Sequence, residues 1–326
     1  MAEKALTGPL IAHTHAVRGV LSETADGDYI LNAGFSRLRF TSDASAGSDF
    51  CVAIDCGLDP SFLDCPASSI KVVVLHEPRE LNPSLFSAVE HFMPLLNLVI
   101  SYDPEMLSKY PEKVRQYWVG GSYLGKTERL SGLTKFRNVS LSASKKNQLE
   151  GHKLRHVVID EYRARGLVPM GGGYRKYKSW GTPYSRFRFS VVIENSSGPS
   201  YFSEKLIHCL LFRCIPVYWG AAVLPDEFAP EGIFAFRDIG AISGIWPKLT
   251  RKTYKELEPY VTQNQLAAIE YCSTELNLQR IIAPLLGFSG FSPDLASNYF
   301  DDFSSLISGS APFAPLNYAG ASHWSP

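Results

Sequence analysis

The chain has 326 residues, 45% of them hydrophobic and 20% charged, with 32 Lys and Arg against 32 Asp and Glu. That length holds one large domain or two of ordinary size, and the composition is that of a globular protein rather than a fibrous or disordered one. No apolar run reaches the length of a membrane span, MAEKALTGPL lacks a signal-peptide core, and a neutral chain lacks the broad cationic footprint of a nucleic-acid binder. A cytoplasmic location is therefore expected. The cysteines at 51, 56, 65, 209, 214 and 272 form no CxxC pair and no Cys/His cluster of zinc spacing, so all six are expected to be reduced. Charge is spread unevenly: Thr134 to Leu224 carries 15 Lys and Arg against 5 Asp and Glu. A basic half with no basic tail suits a small phosphate-bearing ligand.

In chain order, Tyr29–Asn32 and Leu38–Phe40 read as strands, and residues 41–49 as a loop. His13 and His15 have the alternation of a strand but no third ligand, so a solvated surface position is expected for both. Cys51–Asp55 reads as a short strand. Lys71–His76 is a continuous apolar run of the kind buried in a parallel sheet. Asn82 is placed to cap a helix with Pro83 in its first position, and Leu85, Phe86, Val89, Phe92 and Met93 form its apolar stripe. Leu96–Tyr102 is another strand, and Gly120–Gly132 a polar linker. This order predicts an open α/β domain over residues 1–132. Ligands of such sheets gather beyond the carboxyl ends of the strands. Glu77 stands at that place, either as an acid/base or as a plain loop carboxylate.

A second unit, 133–326, opens with a strand at 139–144. The helix after it has Leu154, Val157 and Val158 as its apolar face and Gly166 as its breaker. Arg155 lies on this helix close to Arg163 and Arg165, so a surface position is one reading of it. Gly171–Gly173 followed by YRKYK is equally a phosphate loop or a flexible one. Phe187–Ile193 is a buried strand that stops at Glu194-Asn195; residues 196–200 read as a loop. A helix from about Tyr201 carries Leu206, Ile207, Leu210 and Leu211, and Ile215–Trp219 is a second buried strand. Together they make one βαβ unit with a right-handed crossover. Glu204 and Lys205 fall in the first helical turn. A lysine there opposes the helix dipole at a cost of up to about 1 kcal/mol. That cost makes sense if an anion sits at the helix start; a solvated Lys205 is the plainer alternative. Residues 254–286 are helical by pattern with an interruption at Pro259, and the Ser-, Pro-, Gly- and Phe-rich remainder is unassigned.

The string Phe189–Ala221, with Glu194-Asn195-Ser196, Tyr201-x-x-Glu204-Lys205-Leu206 and Ile215-Pro-Val-Tyr-Trp-Gly220, resembles the donor-binding domain of family 10 glycosyltransferases, the α-1,3/4-fucosyltransferases. Ser203 stands where Thr is more usual and keeps a hydroxyl at a cap position. Val74–Pro78 and Val99–Asp103 are more loosely similar to segments of the family's other domain, with His76 for Gly and Pro78 for Asn. The resemblance spans roughly residues 70 to 260. It implies the α/β GT-B fold, two Rossmann-like domains facing across a cleft. The N-terminal domain would bind a glycan acceptor and carry the catalytic base, Glu77. The C-terminal domain would bind the nucleotide-sugar donor, GDP-fucose, through Arg155, Glu194, Asn195, Tyr201, Glu204 and Lys205. Fucosyl transfer to a glycan hydroxyl would be inverting and would need no metal and no cofactor, because protein cations neutralise the departing diphosphate. Nothing in the residues names the base or the sugar. A UDP-sugar donor on the same fold, and a non-catalytic nucleotide-sugar or glycan-binding module, stand as alternatives.

Overall fold

The structure, a computed structural model, describes residues 70–124 and 129–272, together with 10–16, 29–33, 36–41, 50–55, 58, 60–63, 277, 278 and 281. The first half builds one sheet from β1 (Leu10–Ala16), β2 (Tyr29–Ala33), β3 (Ser36–Thr41), β4 (Phe50–Ile54), β5 (Ile70–Leu75), β6 (Leu98–Ser101) and β7 (Val114–Gln116). Their order is β2-β3-β1-β4-β5-β6-β7, parallel except where β2 runs against β3. His13 and His15 lie on β1, which pairs with β3 on one side and β4 on the other. It is an interior strand of the sheet. Short α1 (Pro60–Leu63) precedes β5, and α2 (Pro83–Phe92) follows it. Asn82 caps α2 as anticipated, accepting from the Leu85 N–H at 3.3 Å. Leu85, Phe86 and Val89 bury against Val73, Leu75 and Val99 of the sheet; each such side chain contributes about 1.5–3 kcal/mol of apolar burial. α3 (Pro104–Lys109) is capped by Asp103, whose side chain accepts from the Met106 N–H.

The second half builds a fully parallel sheet from β8 (Arg137–Ser142), β9 (Leu167–Met170), β10 (Phe187–Gly198), β11 (Ile215–Ala221) and β12 (Phe234–Ala235), in the order β12-β11-β10-β8-β9. Its helices are α4 (Glu150–Tyr162), α5 (Thr182–Ser185), α6 (Glu204–Leu211), α7 (Ile239–Ile245), α8 (Arg251–Glu256) and α9 (Glu258–Glu270). Every residue of β11 is buried, because α6 and α9 cover one face of the sheet and α4, α7 and α8 the other. A strand covered on both faces reads as an unbroken apolar run, and so β10 and β11 were visible in the sequence.

Several expectations change. β10 continues to Gly198, its register with β11 shifting after Ile193, so extended backbone replaces part of the predicted loop. α6 begins at Glu204 rather than Tyr201, because Ser203 is its extended N-cap. On α4 the buried face is Arg155, Val158, Ile159 and Tyr162, while Val157 is 50% exposed. A charged residue on the inner face had disguised that stripe. The interruption expected at Pro259 falls at Leu257, between α8 and α9, with Pro259 in the first turn of α9. Cys51 is disulfide-bonded, whereas Cys209 and Cys214 are free thiols. Cysteine spacing cannot report the short Cα separation that a disulfide needs, so the expectation of six thiols fails at Cys51. No described helix is long and apolar enough to cross a membrane.

Candidate active site

Both sheets reverse their strand order once, between β1 and β4 in the first and between β8 and β10 in the second. Such switch points open crevices beyond the carboxyl ends of the strands. A cleft of about 660 Å³ lies there, lined from both halves of the chain.

The first half supplies carboxylates. β4 ends in Asp55, held at φ +48, a left-handed conformation that Asp and Asn adopt more readily than most residues. Its Oδ1 accepts from the backbone N–H of His76 at 2.6 Å and of Glu77 at 3.1 Å. One carboxylate thus fixes the turn that follows β5. Burial pushes the Asp55 carboxyl up to about 6 against those two hydrogen bonds. Glu77 is also raised, by burial and then by the Asp55 charge. His76 is lowered by burial, and its buried Nδ1 has no hydrogen-bond partner among the described residues. β5 ends at Leu75, so the alternation of a strand does not separate the two side chains, and His76 and Glu77 both line the cleft.

A test follows from Asp55. Its folded pKa lies above the ordinary 3.8, so the stability it lends is full below about pH 4 and is lost as pH rises through about 6. Asp55→Asn keeps an acceptor for the two N–H groups and tolerates the same backbone. It is expected to stabilise the protein on the order of 1–3 kcal/mol at pH 8, with the difference vanishing near pH 4. Urea unfolding at the two pH values measures this; an equal or inverted difference would contradict the buried charge.

The second half supplies a buried ionic cluster and a rim of lysines. Glu194, at the end of the regular part of β10, is fully buried. Its oxygens accept from the Ser203 N–H at 3.0 Å and the Ser203 hydroxyl at 2.5 Å. The carboxylate therefore holds the residue that caps α6. Lys205 turns back over the helix start, with Nζ 2.9 Å from Glu204, 3.0 Å from the Ser203 hydroxyl and 3.8 Å from Glu194. Burial acts to raise Glu204, but the Lys205 ammonium outweighs it and holds the carboxyl down to about 2. A lysine in the first turn is thus balanced by two carboxylates. Arg155 reaches across from α4, donating to the Ile193 carbonyl and to Asn195 Oδ1 at 3.1 Å. It fastens α4 to the end of β10, where Gly151 lies so close to the Glu194 carbonyl that a Cβ would fall 1.8 Å from it. The Tyr201 ring packs on Tyr102 of the first half at 4.8 Å.

Of the seven residues singled out in the sequence, Glu77, Arg155, Asn195, Tyr201, Glu204 and Lys205 line the cleft. Glu194 lies beneath it and shapes it through Ser203. Sequence reading passed over Asp55, although it follows an apolar strand just as Glu77 does. It also passed over Lys146, and it left Lys176 and Lys178, within YRKYK, between a phosphate loop and a flexible one; all three line the cleft and form no ion pair among the described residues. The glycine run that carries two of them has a steric cause: Gly171 sits at φ +115, and a Cβ there would lie 2.0 Å from the Ala143 carbonyl. A last omission is the stretch 120–124. Gly120 pairs with Ser203, and the Gly121 N–H donates to the Tyr271 carbonyl at 2.8 Å. The expected polar spacer is docked along one wall of the cleft.

No protein-family model matches the chain. An α-(1,3)-fucosyltransferase, FucT of Helicobacter pylori, is 32% identical over 54 residues, a match spanning 17% of this chain and 11% of that protein. A crystal structure of an α1,3-fucosyltransferase with GDP-fucose superposes with a TM-score of 0.51 at 16% identity, covering 92% of this chain and 96% of the other. The fold is GT-B. Within that fold the two sheets are Rossmann-like domains facing across the cleft just described. An α-glucosyltransferase in complex with UDP shares it more distantly, with a TM-score of 0.50 at 10% identity over 73% of this chain and 81% of the other. The resemblance to α-1,3-fucosyltransferases therefore holds in sequence over a short segment and in GT-B fold over nearly the whole chain.

Proposed function

We propose that the chain is a glycosyltransferase that moves fucose from GDP-fucose to a hydroxyl of a glycan acceptor, with inversion and without a metal. The observation that carries this reading is the division of charge across the cleft. Asp55 and Glu77 stand at the strand ends of one sheet, whereas Lys146, Arg155, Lys176, Lys178 and Lys205 line the cleft from the other against one lining carboxylate, Glu204. Inverting transfer needs a base on the acceptor hydroxyl and positive charge on the departing diphosphate. Glu77 would take the hydroxyl proton as its oxygen attacks the anomeric carbon and the bond to the diphosphate breaks. The rim lysines, with the N–H groups at the start of α6, would receive the diphosphate. Lys205 and Arg155 are already hydrogen-bonded within the protein, so we assign them to shaping that site as well as to its charge. Tyr201, Glu204 and Asn195 would meet the hydroxyls of the donor.

The α-glucosyltransferase with UDP on the same fold keeps a UDP-sugar donor as the second reading. Calorimetry with GDP, UDP and CDP separates the two, and we expect binding of GDP alone. A transfer assay with GDP-fucose and a glycan library, run in excess EDTA, tests the reaction. Binding of GDP without transfer to any glycan would leave a binding module. Loss of transfer on chelation, restored by Mn²⁺, would overturn the metal-free mechanism.

A further inference from the structure

The cleft contains a second chemical surface that the transfer scheme does not use. Tyr123 is 50% exposed and Trp180 48% exposed, and both line the cleft. Their ring centroids are 5.3 Å apart with the planes inclined at 43°. Large aromatics left open in a concave, otherwise polar site are candidates for ligand contact. These two are also anchored. The Tyr123 N–H donates to His208 Nε2 at 3.1 Å, beside the Ser122 hydroxyl at 3.0 Å. Burial lowers His208 to about 4, so its ring stays neutral and can accept. On the other side Gly181 follows Trp180 at a point where a Cβ would lie 2.2 Å from the Phe212 ring. The backbone is pinned and both rings stay half-exposed, so little ordering entropy is left to lose on binding.

We propose that Tyr123 and Trp180 form the platform on which the sugar ring of the acceptor packs. This rests on the glycosyltransferase reading above and adds to it the residues that select the acceptor. Two observations favour a sugar over the nucleobase of the donor. A planar base is sandwiched best between near-parallel faces, and rings inclined at 43° with centroids 5.3 Å apart form no such sandwich. A pyranose chair presents a nonplanar C–H face that a splayed pair can follow. The surrounding charge points the same way: after burial, the groups that raise the Tyr123 phenol are the carboxylates Glu204, Glu77 and Asp55. Glu77 and Asp55 stand on the side of the cleft that no lysine lines, and such carboxylates accept hydrogen bonds from sugar hydroxyls and repel a diphosphate. A sugar seated there shares the cleft with Glu77, the proposed base.

The experiment uses the full chain and the methyl glycosides of glucose, galactose, mannose and N-acetylglucosamine, titrated against tryptophan fluorescence. At least one is expected to change the emission of the wild type, and Trp180→Phe should remove that change while keeping most of the binding. Tyr123→Ala and Trp180→Ala should each weaken glycoside binding roughly tenfold, with GDP affinity by calorimetry within about twofold of wild type. Tyr123→Phe, which keeps the ring, should bind normally, and thermal melts confirm that each variant is folded. No response to any glycoside, or a roughly tenfold loss of GDP binding with glycoside binding intact, would overturn the platform. A Trp180 response in a protein that binds neither GDP nor UDP would uphold the sugar platform and remove the transferase reading.

Discussion

Glu77→Gln is expected to lower kcat roughly 10²–10⁴-fold while GDP affinity stays near wild type. Glutamine keeps the shape and hydrogen-bonding reach of the side chain but cannot accept the acceptor's proton. Glu77 is suited to that proton transfer by its place at the carboxyl end of β5 and by its raised pKa. Burial and the Asp55 charge both push the pKa up, and a stronger carboxylate base is the result. The competitor is His76. Its imidazole is lowered by burial, so it is neutral near pH 7, and it lines the same cleft. His76→Ala decides between them. It removes an edge contact with the Tyr117 ring at 6.0 Å, so its melting temperature must be measured beside its activity. A folded but inactive His76→Ala next to a near-normal Glu77→Gln would move the base to His76 and break the family comparison in the first half.

What could be read from the sequence, and what could not, follows from how far apart the interacting residues lie. β5, β10 and β11 were legible because burial on both faces makes continuous apolar runs, and the cap at Asn82 is a local signal three residues from what it satisfies. α4 was legible as a helix but not in its orientation, since its inner face includes Arg155. β1, LIAHTHA, is too polar to announce a central strand. The walls of the cleft were least visible. Asp55 shapes its surroundings through N–H groups 21 and 22 residues later, and the Tyr123–His208 bond joins residues 85 apart. No local pattern encodes such pairs. Glu194 was found through a resemblance, yet its geometry makes it a structural residue that fixes Ser203 and with it the start of α6.

Because Glu194 is buried as a structural carboxylate, Lys205 becomes the other decisive position. Lys205→Ala is expected to destabilise the fold by about 3–5 kcal/mol at neutral pH, because it leaves a buried carboxylate without its cation. Glu194 is fully buried, with the Lys205 ammonium at 3.8 Å and a second carboxylate, Glu204, on that same ammonium. Burial already raises Glu194, and Lys205 opposes the rise; without the cation its folded pKa climbs further. A raised folded pKa means stability that is present at low pH and lost as pH rises through the carboxylate range. The variant should therefore lose more stability than wild type between about pH 5 and pH 8, as urea unfolding would show. Adding Glu194→Gln, which removes the orphaned charge and keeps an acceptor for Ser203, should restore most of the loss. The restored double variant then isolates binding from folding. If Lys205 also carries part of the donor's charge, GDP affinity in that variant should remain weakened by about 1.5–3 kcal/mol, the range for a charge-assisted hydrogen bond. Recovery of normal GDP affinity along with stability would make Lys205 a purely structural cation and leave the diphosphate to Lys146, Lys176 and Lys178.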